Sequence, residues 1–287
     1  MVWDDLKIDR QASLAELSDE EIVAACEQNY IDYWRCVGTS ANAEFSEDGG
    51  VTRCITGLRQ DIMNVVLKCE LDPSAIDSQI DELVEELRPR RVPVIWHTGI
   101  LSEPKEIGKY LEARGFPHDY DLAAMAVDLA VVGGDVGPPE GVSARVVQSE
   151  SDCRVWVACL VESWQSPKEA APWFLNNACF SSSASIGKKI GISRNMYLGS
   201  LNGEPAGAAM LVWSNHIAGL QTVGTIPSAM RKGVGSAVVR AALTDARRMG
   251  FRYVVVLSTV EGVSLYRRSG FKEFGKLPEH SMDFQIR

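Results

Sequence analysis

Residues 223–237 read VGTIPSAMRKGVGSA, and this segment holds most of the chemistry that residue type and spacing suggest. An apolar run ends at Thr225, Pro227 stops it, and Gly233 and Gly235 lead into the apolar repeat of a helix. A helix start leaves its first amide groups without carbonyl acceptors, and the helix dipole adds about half a positive charge there. The chemistry on offer is anion binding. Glycine lets a phosphate approach the backbone where a Cβ would block it, and Arg231, Lys232 and the Ser236 hydroxyl supply further donors. The same residues also describe a plain glycine-rich helix start with a solvated Arg-Lys pair, and the segment alone does not choose between the two. Two other phosphate turns are excluded. The run Gly-x-x-x-x-Gly-Lys-Ser/Thr is absent, and a dinucleotide fingerprint would need a small residue where Val238 stands.

The residues around the turn resemble the GNAT acetyltransferase superfamily. Its signature is a strand, then Arg/Gln-x-x-Gly-x-Gly/Ala at a helix start, then a strand and a helix ending in Tyr-x-x-x-Gly-Phe. Here stand Met230-Arg231-Lys232-Gly233-Val234-Gly235, an apolar run at 253–257, and Tyr266-Arg267-Arg268-Ser269-Gly270-Phe271. The resemblance implies an N-acetyltransferase that moves an acetyl group from acetyl-CoA to a primary amine by direct attack in a ternary complex. It implies that the strand backbone at Val223, Gly224 and Thr225 pairs with the pantetheine arm. The amides of Arg231, Lys232, Gly233, Val234, Gly235 and Ser236 would hold the pyrophosphate, and Tyr266 would protonate the departing thiolate. Two positions depart from the pattern: Met230 replaces Arg or Gln, and Thr259 stands where many relatives have Asn.

The attacking amine must lose a proton. His216, just before the strand that leads to Val223, and Glu162 are the candidates, beside a base acting through water. Trp164, Trp173 and Phe174 suit either a packed core or an acceptor pocket. A non-catalytic acyl-CoA-binding regulatory protein would keep the same turn, and is the alternative reading.

Several elements must hold these residues in place. Strand patterns fall at 142–148, 195–201, 206–213, 217–225 and 253–257, with the hairpin signal Asn202-Gly203 between the second and third. Helices are expected after Ser149 or Ser151, around Trp173 and Phe174, at 233–249 and through Tyr266, followed by two closing strands; a polar Ser-rich loop spans 181–185. Upstream, Ser18-Asp19-Glu20-Glu21 is a capping box that opens a helix to about Cys36. An acidic, Gly-rich stretch at 44–50 comes next, then strands at 51–58 and 63–71, and a helix at 74–87 with Ile76, Ile80, Leu83 and Leu87 on one face. A short strand at 94–97, a helix capped by Ser102 and ending at Gly115, and a strand at 122–129 complete this half. The class is α/β. GGDVGPPEG, within 132–141, reads as a linker that separates a domain at 1–135 from one at 142–287.

YLEARGF at 110–116 resembles LYRRSGF at 265–271. This reads as an internal repeat: two GNAT-like domains, each a mixed, mostly antiparallel sheet flanked by helices. The first copy is degenerate, with Leu111 in the place of Tyr266 and no Gly-x-Gly turn, so no cofactor site is expected in it.

Net charge is −9, divided as −16 over residues 1–141 and +7 over 142–287. The total argues against coating nucleic acid, and the basic half is the one with the phosphate turn. The acidic half suits either a solvating surface or a field that draws a cationic amine. Seven cysteines, at 26, 36, 54, 69, 153, 159 and 179, form no Cys-x-x-Cys pair, and no metal site is expected. An odd count without a leader fits reduced thiols and a cytoplasmic protein. The longest apolar run, 122–132, contains Asp128 and is about half the roughly 20 residues of a membrane span. The expected partner is a small-molecule or peptide amine, with no nucleic acid or membrane, and the chain is read as a monomer or homodimer.

Overall fold

The structure, a computed structural model, describes residues 12–39, 43–132, 137–167, 169–178, 190–214 and 216–284. The Ser-rich loop at 181–185 and the centre of the Gly/Pro stretch lie outside these residues. Two compact units form. The larger comprises Met1–Tyr33 and Ala123–Gly275, the smaller Trp34–Leu122 and Lys276–Arg287. Compactness therefore does not divide the chain at the Gly/Pro stretch expected to separate 1–135 from 142–287. Strand pairing is the reason, as each unit takes one strand from the far side of that stretch. Both units are mixed α/β, with a mixed, mostly antiparallel sheet flanked by helices.

The first helix, α1 (Asp19–Val37), starts as expected. The Glu21 amide donates to the Ser18 hydroxyl at 3.2 Å, and the Ser18 amide donates to the Glu21 carboxylate at 2.8 Å. In the smaller unit β1 (Glu44–Asp48) pairs antiparallel with β2 (Val51–Ile55), and β2 with β3 (Asn64–Cys69). The acidic, Gly-rich stretch at 44–50 forms a strand and a turn. Gly49 and Gly50, both at positive φ, fold the acidic segment back onto β2. Helix α2 (Ile76–Leu87) buries Ile76, Ile80, Leu83 and Leu87 against the sheet, as its spacing predicts. Then follow β4 (Pro93–His97), parallel to β3, and α3 (Ile107–Glu112). Ser102 does not cap α3; its hydroxyl accepts the Cys69 amide at 3.2 Å.

β5 (His118–Asp128) leads into the larger unit, where its residues 123–128 pair antiparallel with β10 (Tyr253–Ser258). There β6 (Val142–Val146) is followed by α4 (Glu150–Ser163), capped by Ser149, and α5 (Ala170–Ala178). Next come the antiparallel strands β7 (Ser193–Leu201), β8 (Glu204–Trp213) and β9 (Ala218–Thr225), with Asn202-Gly203 at positive φ in the tight turn. Helix α6 (Val234–Arg248) packs on one face of this sheet, and α7 (Val260–Arg268) follows β10. The two closing strands are one, β11 (Lys272–Asp283), whose residues 279–283 pair with β4 in the smaller unit.

Each unit contains one parallel pair, β3 with β4 and β9 with β10, flanked by antiparallel partners. The two Gly-Phe motifs also close alike. Phe116 donates to Leu111 and Phe271 to Tyr266, each at 3.0 Å, with Gly115 and Gly270 at positive φ. This is a helix stop, and Gly250-Phe251 makes it too. A second likeness emerges from the strands. Pro73-Ser74-Ala75 follows β3 as Pro227-Ser228-Ala229 follows β9.

Cys26, Cys36, Cys54, Cys69 and Cys159 are free and buried. The expectation of reduced thiols throughout is corrected at Cys153, which is disulfide-bonded. Among the described residues no helix is long and apolar enough to cross a membrane.

Candidate active site

β9 follows β8 along its length, but its register with β10 is confined to Gly219 opposite Val255. Past that point the two parallel strands separate. Between Gln221 and Gly224 β9 advances three residues while β8 moves from Met210 to Ala208, a bulge, and Thr222 within it has φ +51°. The Ile226 amide donates to the Ala206 carbonyl at 3.0 Å, so this position faces β8. By the two-residue alternation of a strand, Gly224 faces β8 as well. The N–H and C=O groups of Val223 and Thr225 then lie on the edge left open by β10. An extended ligand can add to such an edge as a further strand.

The open edge runs directly into the glycine turn. One 3-10 turn, Pro227–Ala229, is followed by Arg231 at φ +61° and Gly233 at φ +93°, which swing the chain into α6. No side chain caps α6, and the Ala237 amide is bonded to the Gly233 carbonyl. The amides of Val234, Gly235 and Ser236 precede that first intrahelical bond and have no acceptor in the helix. Exposed Arg231 and Lys232 flank them. Packing also requires the glycines. A Cβ on Gly235 would lie 3.1 Å from the Thr225 hydroxyl and 3.3 Å from Leu265, and one on Gly233 would lie 2.7 Å from Pro139. Arg231, a residue type that seldom takes left-handed backbone, carries no such signal in the sequence.

Leu265 covers Gly235, which brings α7 onto the first turn of α6 and Tyr266 next to it. Tyr266 is 6% exposed, its ring set edge-on to Phe271 with centroids 5.4 Å apart. Burial pushes its phenol well above the usual range, so it stays protonated and able to donate at neutral pH. On the other side of β9, the end of α4 lies against the strand. A Cβ on Gly224 would be 2.0 Å from the Ser163 hydroxyl and 3.5 Å from the Trp164 indole nitrogen. Trp164, Phe174 and Trp173 form an edge-to-face series with centroid separations of 6.0 and 5.3 Å. Exposed Glu162 precedes Ser163.

His216 is not brought to this cleft. It sits exposed in the β8–β9 connection, at the opposite end of β9 from the turn. At about 3.3 Å per residue, six residues of strand put it roughly 20 Å from Thr222, whereas proton transfer needs about 3 Å or one bridging water.

The corresponding place in the smaller unit is filled by its own chain. The Glu103 amide donates to the Cys69 carbonyl at 2.7 Å, and the Leu71 amide donates to the Glu103 carbonyl at 2.9 Å. With Pro73 set against Pro227, Cys69 and Leu71 match Val223 and Thr225, so residues 102 and 103 occupy the edge that is open on β9. At the helix start the Asp72 carboxylate accepts both the amide and the hydroxyl of Ser74 at 2.8 Å.

Among curated proteins none matches the sequence. Solved structures of similar fold include a GCN5-related N-acetyltransferase from Kribbella flavida, 13% identical with a TM-score of 0.64 over 89% of this chain and 95% of that one. Another from Sphaerobacter thermophilus is 15% identical, with a TM-score of 0.62 over 96% and 95%. A tandem GNAT protein from the clavulanic acid biosynthesis pathway is 12% identical, with a TM-score of 0.59 over 93% and 97%. These likenesses extend the fold to the N-terminal half. Residues 156–271, which contain the bulge, the glycine turn and Tyr266, match the acetyltransferase (GNAT) family, and the chain thus carries a domain of that family.

Proposed function

We propose that the larger unit transfers an acetyl group from acetyl-CoA to a primary amine. One observation carries this reading: an open strand edge at Val223 and Thr225 leads without interruption into an uncapped helix start. The pantetheine arm, which carries amides, pairs with the edge. The pyrophosphate takes the amides of residues 231–236, with Arg231 and Lys232 neutralising charge. The amine nitrogen then attacks the thioester carbon, the new C–N bond forms, and the C–S bond breaks as Tyr266 gives its proton to the sulfur. Holding both reactants in one cleft makes the reaction effectively intramolecular. The proton lost by the amine goes to a base, and Glu162, beside the Ser163 that packs on β9, takes this role through water in place of His216.

Acyl-CoA binding without turnover remains the competing reading, favoured by the packing of Tyr266 within the core. Melting with and without acetyl-CoA tests the shared premise. A ligand at 100 times its dissociation constant stabilises by about 2.7 kcal/mol, and the absence of any shift would falsify both readings. Thiol release across a panel of polyamines, amino acids and peptides then separates enzyme from binder.

A further inference from the structure

We propose that the Asn29–Gln221 amide pair closes the acyl end of the cleft and restricts the donor to short acyl groups, so that α1 sets acyl length. This rests on the acetyl-CoA reading above. If the phosphates sit at α6 and the arm passes Thr225 and then Val223, the acyl group arrives where β9 rejoins β10. That point lies between Thr222 and Gly219, and Gln221 stands there.

Gln221 is 8% exposed and donates from its amide nitrogen to the Asn29 side-chain oxygen at 2.9 Å. Asn29, fully buried on α1, donates in turn to the Val212 carbonyl of β8 at 3.0 Å. The pair lies flat on the backbone, since a Cβ on Gly219 would be 2.0 Å from the Asn29 oxygen. Both amides are therefore fixed, and no free volume remains beneath them at Gly219. A longer alkyl chain would have to separate them and leave buried amide groups facing methylenes, which is unfavourable. An acetyl group stops short of the pair. Beside it the buried Thr222 hydroxyl has no partner among the described residues and is available to the thioester. Asn29 lies well outside residues 156–271, so this wall comes from chain that the family match does not cover.

The test is binding of CoA, acetyl-CoA and butyryl-CoA to the full chain by calorimetry and melting. Butyryl-CoA should bind the wild type at least about 10-fold more weakly than acetyl-CoA. Gln221→Ala should bring the two within about 3-fold, whereas Gln221→Met, which refills the space, should restore the preference. Equal binding of both thioesters by the wild type overturns the proposal, as does an unchanged ratio in Gln221→Ala. Should Gln221→Ala fail to fold, Gln221→Ser and the wild-type ratio decide. A wild type that binds none of the three ligands refutes the acetyl-CoA reading itself, an outcome distinct from binding without discrimination.

Discussion

Tyr266 joins two properties that a general acid in a thioester cleft needs. It is buried enough to stay protonated, and it lies one residue from Leu265, which covers the glycine turn. Replacing it with Phe keeps the ring and its packing on Phe271 but removes the proton. Tyr266→Phe should lower kcat by about 10²- to 10⁴-fold, while the melting shift with acetyl-CoA stays as in the wild type; steady-state thiol release and melting read the two effects separately. With Glu162 as the base, Glu162→Gln should lower kcat by about 10²- to 10⁴-fold in steady-state thiol release, and His216→Gln should leave it unchanged. The place of Tyr266 beside the glycine turn is legible in the sequence because the residue belongs to a contiguous motif. His216 lies away from the turn for a physical reason: closeness along a strand is not closeness in space, because an extended chain separates residues faster than any other conformation.

At the scale of elements, the cleft depends on where β9 leaves β10 and on how tightly α6 approaches the end of β9. Gly235→Val would drive a branched side chain into Thr225 and Leu265, which stand 3.1 and 3.3 Å from an ideal Cβ. The variant should lose the acetyl-CoA melting shift and melt below the wild type. In the smaller unit, Arg114 after α3 donates to Asp81 at 2.6 Å and Asp77 at 2.7 Å on α2. Arg114 holds the Asp81 carboxyl below its ordinary value near 3.8. A depressed carboxyl contributes stability that is whole above the unfolded value and fades as pH falls through the folded one. The melting difference between wild type and Arg114→Met should therefore be present at pH 7 and shrink below about pH 4. Helices with regular apolar spacing, such as α2, were readable, and so was the Ser18 cap. The open edge was not, because it is a relation between β9 and β10 across an intervening helix. Ser102 misled in a related way, since a hydroxyl before a helix reads as a cap until the strand it bonds is known.

For the whole molecule, the interleaved units and the filled edge on β3 predict one ligand per chain. Calorimetric titration with acetyl-CoA should give a stoichiometry near one, and a value near two would show that residues 102 and 103 yield to a second arm. A chain begun at residue 142 would retain the whole family match yet lack β5 beside β10 and Asn29 behind Gln221. It should give no cooperative melt. The charge division seen in the sequence keeps its meaning for the phosphate turn, whereas the linker at 132–141 does not mark where compactness changes. That division also has a consequence for synthesis. When β10 leaves the ribosome its partner β5 already exists, but β4 must wait for residues 279–283, which at 5–20 residues per second come roughly 10–40 s later. The smaller unit, whose first three strands are made early, is completed last. Throughout that interval the nascent chain exposes the edge of β4, so chaperone occupancy and misassembly should concentrate on the N-terminal sheet rather than on the half that holds the cleft.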